Sequence, residues 1–226
     1  MNSRIRDIAG LRTIEVAGGD DSLVVVLLHG YAMTPEDLAP FAASMGVPAR
    51  FLFPEGPSSA MPAGRAWWPI DPETRARALA AGPRDLAHEH PEGAPRARAM
   101  MLAFLDAIAP SDRLVLGGFS QGAMLVCDVL FRDAPRVDAL ALLSPSRISV
   151  DDWLPHVSRA KGLPVLVSHG THDADLAFST GEAVRDLFIN AGARVTWTPF
   201  DGGHEIPLPV WRALRKFLTQ TLRATK

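Results

Sequence analysis

The chain has one cysteine, Cys127, in 226 residues, which excludes a disulfide framework. Cys127 lies between Val126 and Asp128 in an apolar helical stretch and reads as a small buried side chain rather than a reactive thiol. Long hydrophobic runs are also missing. The longest, Leu23–Leu28, is far too short to span a bilayer, and Met-Asn-Ser-Arg-Ile-Arg-Asp at the start contains no apolar signal core. Charge of one sign does not accumulate: the net charge is −2 and no run of five or six basic residues occurs. Nucleic acid and anionic membrane surfaces are therefore poor partners. Internal repeats, low-complexity tracts and interdomain linkers are absent. The expectation is a soluble, cytoplasmic protein without integral membrane association, folded as one domain over residues 1–226, with 47% hydrophobic residues to fill its core.

What the chain does have is alternation of strand and helix patterns. Leu11–Val16 alternates apolar and polar residues and reads as a first, edge strand. Gly18-Gly19-Asp20-Asp21 reads as a turn. Leu23–Leu28 is a continuous, β-branched run of the kind buried on both faces of a sheet. Thr34, with Pro35 and Asp37 behind it, predicts a helix start, the helix running to about Ser44. Further strands are expected over 49–53, 113–117, 137–143, 164–168 and 194–198. Helices are expected over 72–81, 94–109, 123–131, 176–191 and 209–222, with a short one after Ser149. This order makes an α/β fold with a mostly parallel sheet of about seven strands and helices on both faces.

Residues 54–95 interrupt the pattern. Seven prolines, at 54, 57, 62, 69, 72, 83 and 91, precede the one at 95, and the segment carries the adjacent Trp67 and Trp68. A loop of this length in a compact domain is usually functional or disordered. The tryptophans suggest a segment packed on the body near a site, or simply core filling; the sequence leaves both open.

The chemistry centres on Gly118-Phe119-Ser120-Gln121-Gly122. It fits G-x-S-x-G between a strand and a helix, the setting of a nucleophile elbow. Chance alone supplies roughly 0.1 such matches in a chain this long, so the partners must decide. A serine hydroxyl needs a base, and the base an orienting acid. Asp173, just past the strand at 164–168, and His204, in Gly-Gly-His-Glu after the last strand, supply them in the order Ser, Asp, His. Asp175 is the rival acid. The oxyanion requires preorganised donors, for which the backbone N–H groups of Gln121 and Tyr31 are candidates; His29 beside them reads as a local hydrogen-bonding group. Trp67, Trp68, Phe178 and Ile206 are candidates to line a substrate pocket. His169 and His172, and His88 and His90, match no H-E-x-x-H or Cys/His pattern, so no metal and no cofactor are expected.

With these residues in hand, the chain resembles the phospholipase/carboxylesterase family of α/β-hydrolases, which includes acyl-protein thioesterases. The resemblance rests on Leu-Leu-His-Gly-Tyr at 27–31, Arg-Ala-Trp-Trp at 65–68, Gly-Gly-Phe-Ser-Gln-Gly-Ala at 117–123, Leu-Leu-Ser at 142–144, His-Gly-Thr-His-Asp at 169–173 and Gly-Gly-His-Glu-Ile at 202–206. It implies a cofactor-free serine esterase acting on short to medium acyl esters or thioesters, as a monomer or homodimer, with the 54–95 segment near the acyl pocket. Lysophospholipase or acyl-protein thioesterase activity, or a non-catalytic binding member of the fold, are the alternatives. Three departures stand out. Ala32 and Met33 occupy places where the family often has glycine. Asp-Ala-Asp-Leu-Ala at 173–177 replaces the usual Asp-Pro-Val-Val-Pro. Pro145 replaces a glycine after Ser144.

Overall fold

The computed structural model describes residues 3–19, 22–61, 63–108, 111 and 113–224. Asp20 and Asp21 of the expected turn, Pro62 of the proline-rich segment and Ala109 at the expected helix end lie outside them. In chain order the strands are β1 (Ser3–Ile8), β2 (Leu11–Ala17), β3 (Leu23–Leu28), β4 (Arg50–Pro54), β5 (Ser58–Ser59), β6 (Arg65–Ala66), β7 (Arg113–Phe119), β8 (Ala139–Leu143), β9 (Pro164–Gly170) and β10 (Arg194–Phe200). The helices are α1 (Ala39–Met45), α2 (Pro72–Ala80), α3 (Ala94–Ala107), α4 (Gln121–Asp133), α5 (Val150–Trp153), α6 (Phe178–Asn190) and α7 (Leu208–Arg223).

Eight strands form the main sheet in the order β1-β2-β4-β3-β7-β8-β9-β10. β1 pairs antiparallel with β2, and β2 with β4; every later neighbour is parallel. The expected strand count is thus one short, and Leu11–Ala17 is not an edge. β1 covers it through a two-residue turn in which Ala9 and Gly10 have φ of 51° and 82°. Positive φ at both positions matches the right-handed twist of a hairpin. The Asp7 carboxylate accepts the Gly10 N–H at 3.0 Å, which fixes the turn. β1 escapes a hydrophobicity reading because five of its six residues are exposed.

The central strands bury both faces, as their unbroken apolar runs require. Val24, Val26 and Leu28 of β3 face one core with Met101, Phe104, Leu125, Val129 and Phe188 of α3, α4 and α6. Leu23, Val25 and Leu27 face the other, with Ala42 and Met45 of α1 and Trp211, Leu214 and Phe217 of α7. Cys127 is fully buried in α4, and burial raises its thiol pKa, so it stays protonated.

The helix expected over 34–44 is two pieces. A 3-10 turn, Pro35–Asp37, precedes α1, which has Pro40 in its first turn. A proline has no N–H to continue the preceding ladder, so the chain must restart there. The 54–95 segment is no open loop: β5 and β6 form a small antiparallel pair, α2 follows, and Trp67 and Trp68 are buried.

Candidate active site

The elbow is built by exclusion of side chains. A Cβ at Gly118 would lie 2.4 Å from the Gly122 carbonyl carbon, and one at Gly122 would lie 2.6 Å from the Leu28 and His29 carbonyl oxygens. Neither could relax, because each obstacle is backbone. Between them Ser120 has φ 52° and ψ −118°, a conformation costly for any L-residue. It is held by its N–H donating to the Leu143 carbonyl at 2.9 Å and its carbonyl accepting the Met124 N–H at 3.0 Å. The strain thus sits at the residue that the G-x-S-x-G pattern presents at the carboxyl end of the sheet.

Three groups far apart in sequence meet there. His204, in the loop after β10, has Nε2 2.8 Å from the Ser120 hydroxyl. Its Nδ1 is 2.6 Å from Oδ2 of Asp173. The ring packs on Phe119, with centroids 4.8 Å apart. Asp173 follows β9, and its side chain is wholly buried. Burial would raise its pKa. Hydrogen bonds from His169 and His204, the charge of His204 and the Leu176 N–H outweigh that and hold the carboxyl well below the usual range. Its Oδ1 accepts the N–H groups of Asp175 and Leu176, each at 2.9 Å.

Asp175, the rival acid, faces away from the imidazole. Its carboxylate pairs with Arg75 and Arg84, both from the 54–95 segment. The Asp-Ala-Asp departure therefore has a structural use: the second aspartate ties the acid loop to α2 and its following turn. The pairing is reinforced by backbone bonds, Arg84 N–H to Asp175 O and Ala177 N–H to Arg84 O, each at 3.0 Å.

The two candidate oxyanion donors lie in firmly held backbone. Gln121 is the first residue of α4, so its N–H has no acceptor within the helix. Tyr31 lies in the loop after β3, under the Arg75 guanidinium at 5.1 Å. Ala32 stands at φ 61°, where the family's glycine would be relaxed. The loop is clamped by Ala32 N–H donating to Arg65 O and Arg65 N–H donating to Met33 O, both 2.9 Å. His29 is fully buried; its Nδ1–H donates to Gly30 O at 2.7 Å and its Nε2 accepts the Gly56 N–H at 2.9 Å. Desolvation lowers its pKa, which keeps it neutral and local.

The candidate pocket residues divide. Trp68 and Ile70 wall a narrow cleft beside Ser120, with Tyr31, Gln121, Met124 and Ile148. Trp68, Ile70, Arg75, Arg84 and Leu86 also border a larger cavity of about 520 Å³ next to it. Ile206 lies in a separate depression of about 240 Å³ against His204, with Met33, Phe41, Phe119 and Trp211. Trp67 lines none of these three spaces and is buried. Its indole N–H donates to His29 O at 2.9 Å and its ring packs on the His29 imidazole. Phe178 lines none of them either: it packs on Trp197 and edge-on against His169.

Two features of the site escape the sequence reading. The Gln121 side chain joins the elbow to the tryptophan segment, its Oε1 accepting Trp67 N–H at 2.8 Å and its Nε2 donating to Trp68 O at 2.9 Å. His169 reaches the buried acid, with Nε2 3.2 Å from Asp173 Oδ2. The second was visible only as the spacing of His169 and Asp173 at the end of a strand. His172 instead pairs with exposed Asp201 at 3.0 Å, and His88 and His90 face Asp151 and Asp152 at the surface. Among the described residues no three His, Cys, Asp or Glu side chains form a group able to hold a metal ion. Nor, among them, is any helix long and apolar enough to cross a membrane.

Comparison with known proteins follows the same outline. A family model described as Phospholipase/Carboxylesterase matches residues 10–222. Acyl-protein thioesterase 1 of Neurospora crassa is 33% identical over 122 residues, covering 52% of this chain and 50% of that protein. The chain thus spans about half the length of that curated relative. Among solved structures, esterase PE8 superimposes with a TM-score of 0.77 at 25% identity, covering 93% of this chain and 99% of the other. Acyl-protein thioesterase 2 of Zea mays superimposes with a TM-score of 0.74 at 20% identity, covering 93% and 99%, a likeness of fold. The sheet and its helices are an α/β-hydrolase fold, and the chain belongs to the phospholipase/carboxylesterase family.

Proposed function

We propose that this member of the phospholipase/carboxylesterase family is a serine hydrolase that cleaves carboxylic esters of short to medium acyl chains through an acyl-serine intermediate. The observation that carries the reading is the unbroken path from the Ser120 hydroxyl, through both nitrogens of His204, to the buried Asp173 carboxylate. In this reading His204 Nε2 takes the serine proton as Oγ attacks the carbonyl carbon, then returns it to the leaving oxygen. Water repeats the sequence on the acyl-enzyme. Asp173 holds the tautomer with Nδ1–H and stabilises the imidazolium. The N–H groups of Gln121 and Tyr31 donate hydrogen bonds to the developing oxyanion. No cofactor takes part in any step. The sheet runs continuously from β1 to β10, which supports treating 1–226 as one domain.

Reaction geometry also apportions the substrate. The leaving atom must come within reach of His204 Nε2, so the alcohol leaves on the Ile206 and Phe119 side. The acyl chain then lies in the cleft walled by Trp68, with the adjacent 520 Å³ cavity within the size range of small-molecule sites. Thioester cleavage is the second reading, favoured by the likeness to acyl-protein thioesterases, and a matched ester and thioester pair separates the two. The decisive experiment combines Ser120→Ala with fluorophosphonate labelling. Turnover of a chromogenic short-chain ester should fall by about 10⁴- to 10⁶-fold in a folded variant. The unmodified protein should take one label, at Ser120. Undiminished turnover, or no labelling, would identify a different mechanism or a binding protein.

A further inference from the structure

We infer that His169 is a positioning residue of this relay, a second histidine set against the same carboxylate oxygen that His204 uses. The inference rests on the hydrolase reading above. His169 lies at the end of β9 and is fully buried. Its Nε2 has two neighbours, the Leu176 carbonyl at 3.1 Å and Asp173 Oδ2 at 3.2 Å. A carbonyl and a carboxylate only accept, so Nε2 must carry the proton. Nδ1 is buried without a partner, so it is the bare nitrogen. A proton there would leave an unsatisfied donor in the core. The ring is therefore neutral and in one tautomer, with Nε2–H bonded to the Leu176 carbonyl and lying 3.2 Å from Asp173 Oδ2. Gly181 of α6 makes room for it: a Cβ there would lie 2.4 Å from Nδ1.

The arrangement closes the acid loop on itself. Leu176 gives its N–H to Asp173 Oδ1 and its carbonyl to His169. Oδ2 is divided between His204 at 2.6 Å and His169 at 3.2 Å. His169 thereby orients the carboxylate and draws off part of its charge, which would otherwise act wholly on His204. A carboxylate with fewer donors pulls harder on the imidazolium, so loss of His169 favours the protonated form of the relay. Few other charges bear on the acid. Asp175 is spent on Arg75 and Arg84. His172 pairs with exposed Asp201, Glu205 accepts the Gly203 N–H, and α6 presents Phe178 and Gly181 to the ring.

The test compares His169→Leu, which removes the donor, with His169→Gln, whose side-chain amide nitrogen can donate from the Nε2 position. The kcat/KM of a neutral ester is followed against pH. In His169→Leu the acidic limb should move up by about half to one pH unit. Its kcat near neutral pH should fall about tenfold with KM nearly constant, since His169 is out of substrate reach. His169→Gln should recover most of the loss and return the limb towards its original position. An unshifted limb in His169→Leu, or a Gln variant as impaired as the Leu one, would overturn the inference. Nitrogen NMR of the unaltered protein gives a check that survives a misfolded variant. His169 should show a protonated Nε2 and a bare Nδ1 throughout the pH range of activity; the opposite tautomer would refute it. Fluorophosphonate labelling of each variant keeps the two questions apart. Labelling at Ser120 with an unshifted limb defeats this inference alone, whereas no labelling of the unaltered protein defeats the hydrolase reading.

Discussion

Replacing Gln121 by leucine tests how the proline-rich segment is held to the elbow. Gln121 is 2% exposed, and its amide satisfies two backbone groups of buried residues, Trp67 N–H at 2.8 Å and Trp68 O at 2.9 Å. Leucine has a similar volume but leaves both groups buried and unpaired. Each orphaned group costs about 1–3 kcal/mol, so the pair costs about 2–6 kcal/mol. Leucine needs no hydrogen bonds of its own, which offsets about 1–2 kcal/mol of that. The net loss is about 1–4 kcal/mol, or a fall in melting temperature of about 2–16 °C for a domain this size. Urea unfolding followed by tryptophan fluorescence reads the change directly. Because the proposed oxyanion donor is the backbone N–H of residue 121, it survives the substitution, so a fall in kcat reports movement of Trp68 and the oxyanion loop. A Gln121→Leu variant within 0.5 kcal/mol of the original stability, roughly the scatter of neutral surface changes, would refute the argument.

Three further outcomes are expected. Ala32→Gly should stabilise the protein by about 0.5–1 kcal/mol in urea unfolding, because relief of the left-handed conformation at φ 61° exceeds the entropy glycine adds to the unfolded chain. Asp173→Asn should lower kcat by about 10⁴-fold, whereas Asp175→Asn should leave far more activity and chiefly destabilise the fold, since it strands Arg75 and Arg84 together. Equality of the two kinetic losses would mean the acid is misassigned. Stability should also depend on pH through Asp173, whose folded pKa lies below its unfolded value near 3.9. The unfolded chain then binds more protons, so this contribution is complete above about pH 5 and declines as pH falls through 4 and below. Unfolding midpoints of the unaltered protein and Asp173→Asn should therefore begin to draw together below about pH 5 and keep doing so as pH falls further, and parallel curves would contradict the assignment.

Sequence by itself determined what depends on neighbours along the chain. Leu23–Leu28 had to be a doubly buried strand, and Gly118 and Gly122 had to flank a sharp turn, because backbone sterics and hydrophobic period act over a few residues. The order of Ser120, Asp173 and His204 followed from one motif and two strand ends. β1 was hidden because its side chains are exposed and only the Ala9-Gly10 turn marks it. Only the tertiary structure decided which acid faces the imidazole, since Asp173 and Asp175 differ by the direction a loop turns and by two arginines a hundred residues away. It alone separated Trp67, packed on His29, from Trp68, beside Ser120, and brought His169 and the Gln121 amide against the site. Such roles rest on hydrogen bonds between segments distant in the chain, and the free energy of a buried polar group is set by whatever the fold places beside it.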